Sequence, residues 1–127
     1  MIRSQRLLPK LTVRFFRTEQ GTEPVRDWLR GLPGEDRRRV GNEIRTVQFG
    51  WPVGMPLVRK LGADLWEVRV LLDHRIARVL FTVFEGEAIL LHGFVKKSRK
   101  TPAVEMNAAH ARLSALKIPR KSESSSR

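Results

Sequence analysis

The spacing of apolar side chains along the chain predicts an order of helices and strands. Residues 11–17 alternate imperfectly between apolar and polar positions, which predicts a first strand. Two sets of apolar residues then recur at helical spacing on either side of a break at 31–34: Val25, Trp28, Leu29 and Leu32, then Val40, Ile44 and Val47. Thr22 is placed to cap the first helix, with Pro24 in its first turn, and Gly50 ends the second helix. A short helical hairpin, with Trp28 in its core, is therefore expected after the first strand.

From residue 57 onward the pattern changes to that of strands. The segments 57–61, 65–70, 76–84 and 88–95 are rich in apolar residues and joined by short turns, which predicts an antiparallel meander of three or four strands. A final helix is expected from Thr101-Pro102 to about Lys117. The predicted fold class is α+β, a two-layer domain with a small antiparallel or mixed sheet. The N-terminal helical hairpin and the C-terminal helix are expected to pack on one face of that sheet.

The two ends of the chain differ in composition from this central region. Residues 1–10 start with basic side chains but lack the apolar stretch of a secretory signal, and we expect a flexible N-terminal arm there. Residues 118–127 are basic and rich in serine, too polar to bury, and we expect a disordered tail. A single domain is therefore expected over residues 11–117.

Charge is the most informative feature of the composition. Twenty-five Lys and Arg residues face thirteen Asp and Glu residues, which gives a net charge of +12, and seven of these charges fall within residues 96–127. Such an excess favours a polyanionic partner, either nucleic acid or the ribosome, because each phosphate contact releases condensed counterions. An acidic protein partner is the alternative. No apolar run reaches the roughly 18 residues of a membrane span, so we expect a cytoplasmic protein without membrane contact.

Several kinds of chemistry are excluded or disfavoured by the residues that are present. The chain has no cysteine, so disulfides, thiolate metal sites and cysteine nucleophiles are excluded. His74, His92 and His110 lie far apart in the sequence and lack the spacing of metal ligands. There is also no glycine-rich phosphate loop and no nucleophile elbow. We therefore expect neither a metal nor a cofactor.

Two arginines in the predicted meander are candidates for a functional site. Strand alternation places Glu67 and Arg69 on one face, and a tight turn at Asp73-His74 would bring Arg69 level with Arg78 on the next strand. Because arginines that face a core are costly, we expect this face to be open to solvent or to a ligand. The alternative is that the arginines only form surface ion pairs with Glu67 and other acids.

The last predicted strand carries further polar candidates. His92, Phe94 and Lys96 share one of its faces, and Leu91, Gly93, Val95 and Lys97 share the other; the sequence leaves open which set joins the arginines. With the basic run at 96–100, such a face would form a phosphate site, since arginine forks match phosphate oxygens. RNA supplies its own nucleophile, the 2′-hydroxyl, so cleavage there would need positioning, charge stabilisation and proton transfer but no metal. A buried structural role remains the alternative for His92.

Three segments of the sequence resemble a known family. They are Lys60-Leu61-Gly62 with Leu65-Trp66-Glu67-Val68-Arg69, then Arg75-Ile76-Ala77-Arg78-Val79-Leu80-Phe81, then Leu90-Leu91-His92-Gly93-Phe94-Val95-Lys96-Lys97-Ser98-Arg99-Lys100-Thr101-Pro102. Together they are similar to the phage-derived HigB-like branch of the RelE toxin superfamily, and the similarity runs from about Val13 to Leu116. The third segment is the most specific.

This resemblance implies a RelE-like fold and a toxin of a type II toxin–antitoxin pair. Such toxins enter the ribosomal A site and cleave mRNA, and a cognate antitoxin, which we expect to be a small helix-turn-helix DNA-binding protein, covers the basic face. The expected catalytic residues are Arg69, Arg78, Lys97 and His92. The residues expected to bind RNA or the ribosome are Lys60, Arg75, Phe94, Lys96, Arg99 and Lys100. Some relatives use a tyrosine, which this chain lacks, so the residue that transfers the proton stays open.

Two other functions remain possible at this point. A ParE-like inhibitor of DNA gyrase would share the fold without cutting RNA, and a non-catalytic nucleic-acid-binding protein would need only the basic charge.

Overall fold

The computed structural model describes residues 8–97 and 100–116, which form three helices and a five-stranded mixed sheet. The elements in chain order are β1 (Thr12–Phe15), α1 (Pro24–Arg30), α2 (Gly34–Gly50), β2 (Val58–Gly62), β3 (Leu65–Leu72), β4 (Arg75–Phe84), β5 (Glu87–Lys96) and α3 (Ala103–Ala115). Across the sheet the strands are ordered β1-β5-β4-β3-β2; β1 runs parallel to β5, and the other neighbours are antiparallel. The predicted α+β class with a small mixed sheet is confirmed.

The helical hairpin forms where the apolar spacing predicts it. Val25 of α1 and Val40 and Val47 of α2 are buried, and Pro24 occupies the first turn of α1. The predicted cap is wrong, because Glu23 precedes α1 and no side chain caps the helix. The Thr22 hydroxyl instead lies 2.7 Å from the hydroxyl of Thr18 in the preceding turn.

We call the sheet surface that α1 and α2 cover the hairpin face. Its buried side chains are apolar and come from both the helices and the strands, among them Val25, Val40, Val47, Val68, Val70, Ala77, Val79, Phe81 and Leu90. Trp28 packs against this cluster directly over Gly93, where an added Cβ would lie 2.4 Å from the indole Cε3. Trp28 is therefore part of the core, as predicted, and the glycine lets its ring approach the sheet.

We call the opposite surface, which α3 covers, the α3 face. A second apolar cluster lies there, formed by Phe16, Leu65, Leu80, Ile89, Leu91, Phe94, Ala109 and Leu113. The expectation that all helices share one face is thus wrong for α3. The reason lies in the central strands, since the segments 79–82 and 88–91 are buried at every position. Such continuous burial is typical of strands that are covered on both faces.

The predicted ends of the chain are only partly within the described residues. The first seven residues of the arm expected over 1–10 and all of the tail expected over 118–127 lie outside them. In the described part of the arm, the Lys10 N–H donates to the Gln48 carbonyl of α2 at 2.8 Å. The boundaries of the 11–117 domain stay a prediction.

Candidate functional site

The turn between β3 and β4 aligns the two candidate arginines. Arg69 lies directly opposite Arg78 in the strand register, as the two-residue turn at Asp73-His74 predicts. Both belong to the α3 face, because their strand neighbours Val68, Val70, Ala77 and Val79 point into the hairpin face. The predicted pairing of the arginines is confirmed.

A β-bulge in β5 decides which of its residues join the arginines. Phe81 is opposite Leu90, whereas Leu80 is opposite His92, so Leu91 is the extra residue. Beyond the bulge, Arg78 pairs with Phe94 and Ile76 pairs with Lys96. His92, Phe94 and Lys96 therefore lie on the α3 face, and Gly93 lies on the hairpin face beneath Trp28.

Arg78 is buried, which corrects the expectation that its face would be open to solvent. Its side chain is 0% exposed, its Nη1 donates to the Lys100 carbonyl at 2.8 Å, and its guanidinium lies 5.9 Å from the Phe94 ring centroid. Burial lowers the pKa of Arg78, Glu67 raises it, and Arg69 and Arg59 lower it further. An arginine keeps its proton at neutral pH despite such a shift. The arginine is covered because the chain returns over it just before α3.

Glu67 is the counter-charge at the centre of this cluster. Its carboxylate is fully buried and lies 3.8 Å from the Nε of Arg78 and 3.8 Å from the Nε of Arg59. The hydroxyl of Thr101 donates a hydrogen bond to the same carboxylate and so connects the segment before α3 to the sheet. Arg59 and Arg78 therefore flank this acid from the two neighbouring strands. With Arg69, which lies opposite Arg78, they form what we call the arginine cluster. Of the two arginines for which the sequence analysis considered surface ion pairs, Arg78 does pair with Glu67, but this pair is buried.

Arg69 differs from the other two arginines of the cluster. It is half-buried, its Nε is shielded from solvent, and this atom has no hydrogen-bond partner among the described residues. No ion pair to Arg69 is found within residues 8–97 and 100–116 either. Arg69 is therefore the arginine of this cluster whose charge is not paired with an acid among the described residues.

His92 is held by α3 from both sides of its ring. Arg112 donates to Nδ1 at 3.2 Å and to the Leu91 carbonyl at 2.8 Å, and Glu105 lies 2.5 Å from Nε2. Since arginine has no acceptor, Nδ1 must accept, and Nε2 carries the proton that is donated to Glu105. Burial lowers the pKa of Arg112. With both ring nitrogens engaged, His92 resembles a positioning group more than a free acid or base.

Two of the basic residues that the sequence analysis selected lie on the hairpin face instead. Lys60 points away from the arginines and sits 5.5 Å from the Trp66 ring centroid. Arg75 bonds to Asp36 at the start of α2, with 3.1 Å between nitrogen and oxygen. Neither joins the arginine cluster.

The basic run at 96–100 begins at the last residue of β5, and at Lys100 its backbone carbonyl accepts a hydrogen bond from Arg78. Lys96, Lys97 and Lys100 are exposed, and Lys96 shares the α3 face with Ile76. Arg99 was selected as well, but it lies outside the described residues.

Sequence reasoning missed Arg59, Thr101, Glu105 and Arg112. Arg59 was detectable in part, since alternation in β2 places it on the face opposite Lys60. The other three are brought to the site by the packing of α3, for which no local sequence signal exists.

Within the described residues, no group of three or more His, Asp or Glu side chains is placed to hold a metal ion. None of the helices described here is long and apolar enough to cross a membrane.

Comparison with known proteins adds one match. A family model described as phage derived protein Gp49-like (DUF891) matches residues 27–114, which is more than half of the chain and includes the arginine cluster. No curated protein sequence gives a significant match.

Proposed function

Because the chain belongs to the Gp49-like family of phage-derived proteins, a toxin family of toxin–antitoxin systems related to RelE and HigB, we propose that it is a ribosome-dependent mRNA endonuclease. The toxin cleaves mRNA in the ribosomal A site and so inhibits translation. The family implies an antitoxin partner. We propose that this antitoxin is a small helix-turn-helix DNA-binding protein.

The observation that carries the proposal is that Arg69, without an acidic partner among the described residues, lies beside the buried pair of Glu67 and Arg78. The guanidinium of Arg69 has no ion-pair partner within the described residues, and its Nε has no hydrogen-bond partner there. Arg78 lies directly opposite Arg69 on the neighbouring strand. Arginine presents a planar fork of donors that matches two oxygens of a phosphate. In this proposal Arg69 contacts the scissile phosphate, and Arg78 is a positioning residue.

The reaction needs little from the protein beyond placement and charge. The 2′-hydroxyl oxygen attacks the adjacent phosphorus in line, the bond to the 5′-oxygen breaks, and a 2′,3′-cyclic phosphate and a 5′-hydroxyl are formed. A base accepts the proton of the 2′-hydroxyl, and an acid supplies a proton to the leaving oxygen. Arg69 stabilises the charge that develops on the phosphorane oxygens. We propose that Lys97 adds to this charge stabilisation and that His92, held by Glu105 and Arg112, positions Phe94.

The remaining selected residues have a supporting role in the proposal. Lys96, Arg99 and Lys100 attract the RNA and ribosome backbone next to the cleavage site, and Phe94 packs beneath Arg78. Lys60 and Arg75 act from the hairpin face, where they contribute to ribosome association.

Primer extension on cellular mRNA after induction of the toxin tests the proposal. New 5′ ends within translated regions are expected for an mRNA endonuclease. A ParE-like gyrase inhibitor or a non-catalytic nucleic-acid-binding protein would leave none, so an unchanged pattern of 5′ ends alongside growth arrest would refute the proposal.

Metal independence needs a separate assay. Cleavage of mRNA on ribosomes by the purified toxin is expected to continue in EDTA for as long as the ribosomes stay intact. Loss of cleavage that one divalent ion specifically restores would show that the mechanism is different.

A further inference from the structure

Strand β3 extends beyond its neighbour at one end of the sheet. The pairing of β2 with β3 stops at Val58 opposite Val68, and the last contact beyond it is the Arg69 N–H donating to the Leu57 carbonyl at 2.9 Å. Because backbone groups alternate sides along a strand, the N–H and C=O of Leu71 point to the same side as those of Arg69. Within the described residues they have no backbone partner there. A short stretch of strand edge is thus left unpaired.

The side chain of Leu71 is a large apolar group that is exposed at this edge of the sheet. It is 74% exposed, although its strand neighbours Val70 and Leu72 are buried. Beside it lies a surface groove of about 410 Å³ lined by Glu43, Pro56, Leu57, Arg69 and Leu71. An unpaired edge, an exposed leucine and a groove therefore meet at one place.

The charge of the groove indicates what kind of molecule fits it. Arg69 contributes a cation that is not paired with an acid among the described residues, and Glu43 also lines the groove. A second copy of this chain, or its own basic tail, would bring more positive charge to a protein of net charge +12. An acidic protein segment is complementary instead.

We propose that an extended acidic segment of the antitoxin adds to the edge of β3 in this groove. Its backbone pairs with Leu71, an apolar side chain covers the leucine, and a carboxylate binds Arg69. The inference deepens the proposed function, because it assigns the place where the antitoxin blocks the cleavage site. Neutralisation then follows from competition, since the carboxylate occupies the arginine that binds the scissile phosphate.

The test uses the full-length toxin and the protein encoded by the adjacent gene, purified after coexpression and separated. The variant is Leu71→Ser, which removes the apolar contact without adding charge, and its control is Val104→Ser, a matched change at a residue of α3 that is 67% exposed. Titration calorimetry is expected to show a rise in Kd of about 10- to 100-fold for Leu71→Ser, the range that corresponds to burying one leucine. Val104→Ser is expected to bind like the wild type.

A second measurement examines the backbone pairing. Amide hydrogen exchange at Leu71, followed by NMR, is expected to slow in the complex and to be unchanged by a short RNA oligonucleotide. Protection by the RNA but not by the protein would assign the groove to RNA, and a dimer that dissociates in Leu71→Ser would assign it to a second copy. Either result overturns the inference.

Ribosome-dependent mRNA cleavage separates this inference from the proposed function. Leu71→Ser is expected to cleave like the wild type in the absence of the antitoxin. If the wild type binds the neighbouring protein at Leu71 but never cleaves mRNA, the proposed function fails and the docking site stands. If the wild type cleaves mRNA and both serine variants bind equally, the docking site is wrong. If the wild type does not bind that protein at all, the assigned partner is wrong and the inference falls.

Discussion

The two faces of the sheet are built from different chemistry. The hairpin face is closed by apolar side chains and by an indole ring that rests on Gly93. The α3 face also has an apolar cluster, but it buries Glu67 and Arg78 next to it and ties them to the segment before α3. Helices cover both faces, yet among the described residues the charged side chains that are completely buried, Glu67 and Arg78, both lie on the α3 face.

We infer from this difference that the hairpin face mainly stabilises the fold, whereas the buried charges of the α3 face mainly position Arg69. Apolar packing contributes favourably wherever it removes surface from water. A buried ion pair often does no better than apolar residues of the same size, because its desolvation cost is large. What the cluster of Glu67 and Arg78 provides is a fixed frame for Arg69, the kind of supporting shell that holds a functional group in place. The predictions below test this division.

The largest effect is expected from Glu67→Gln. The change leaves Arg78 buried without its counter-charge, and removing one partner of a buried pair typically costs about 3–5 kcal/mol of unfolding free energy. Urea denaturation measures it, with Glu87→Gln as control, since Glu87 pairs with Arg14 at the surface. Equal losses of unfolding free energy for the two changes would show that the buried ion pair matters no more to stability than the exposed one.

Arg69→Ala is expected to lower cleavage rather than stability. Loss of one preorganised donor typically lowers turnover about 10²- to 10³-fold, whereas no ion pair to Arg69 exists within the described residues to be broken. Single-turnover mRNA cleavage on programmed ribosomes and urea denaturation give the two values. Arg78→Lys should lower both the cleavage rate and the stability, because lysine cannot reproduce the planar contacts of a guanidinium. A stable, fully active Arg69→Ala protein would place the active site elsewhere.

On the hairpin face, Gly93→Ala is expected to destabilise the protein by overpacking. The new methyl group would overlap Trp28, and forcing extra atoms into a packed core costs about 1–3 kcal/mol. Gly41→Ala is the control, because nothing lies within 4 Å of its added Cβ in α2 and alanine favours a helix. A Gly93→Ala protein as stable as the wild type in urea would mean that Trp28 is easily displaced.

The smallest effect is expected at Glu35, outside both faces. A hydrogen bond from Arg38 lowers the pKa of Glu35 below its ordinary value of 4.5. A carboxylate whose pKa is lowered in the folded state stabilises the protein at pH values above its ordinary pKa. This stabilisation is lost as the pH falls through the pKa of the folded state. Glu35→Gln should therefore lower the Tm slightly at neutral pH, with the difference from wild type shrinking in acid and in high salt. A difference that persists in acid would point to lost packing instead.

The parts of this structure that depend on local pattern were predictable from the sequence. The stripe of Val40, Ile44 and Val47 predicts α2, and the two-residue turn at Asp73-His74 predicts that Arg69 faces Arg78. The bulge in β5 was missed because the alternation of apolar and polar residues within one strand does not reveal an extra residue. The orientation of His92 and Phe94 depends on the bulge at Leu91, which only pairing with β4 reveals.

The burial of Arg78 was beyond sequence reasoning for a different reason. It results from the return of the chain at Lys100 and Thr101, more than twenty residues further on, and from the position of α3. From the cost of burying arginines, the sequence analysis expected this face to be open to solvent or to a ligand, which is wrong for Arg78. It did not indicate that the cover would come from the C-terminal helix rather than from a ligand.

The bulge at Leu91 has a consequence for how this protein tolerates genetic change. Strand orientation has a period of two, so an in-frame insertion of one codon just before His92 would reverse the parity of residues 92–96, whereas loss of the Leu91 codon would only straighten the bulge. Gly93 would leave Trp28, while His92 and Phe94 would be driven into the apolar interior beneath the hairpin. A substitution in this strand alters one face at a time, whereas a single inserted residue alters both faces together. Lineages of this protein should therefore vary in the identity of residues in β5 far more readily than in its length.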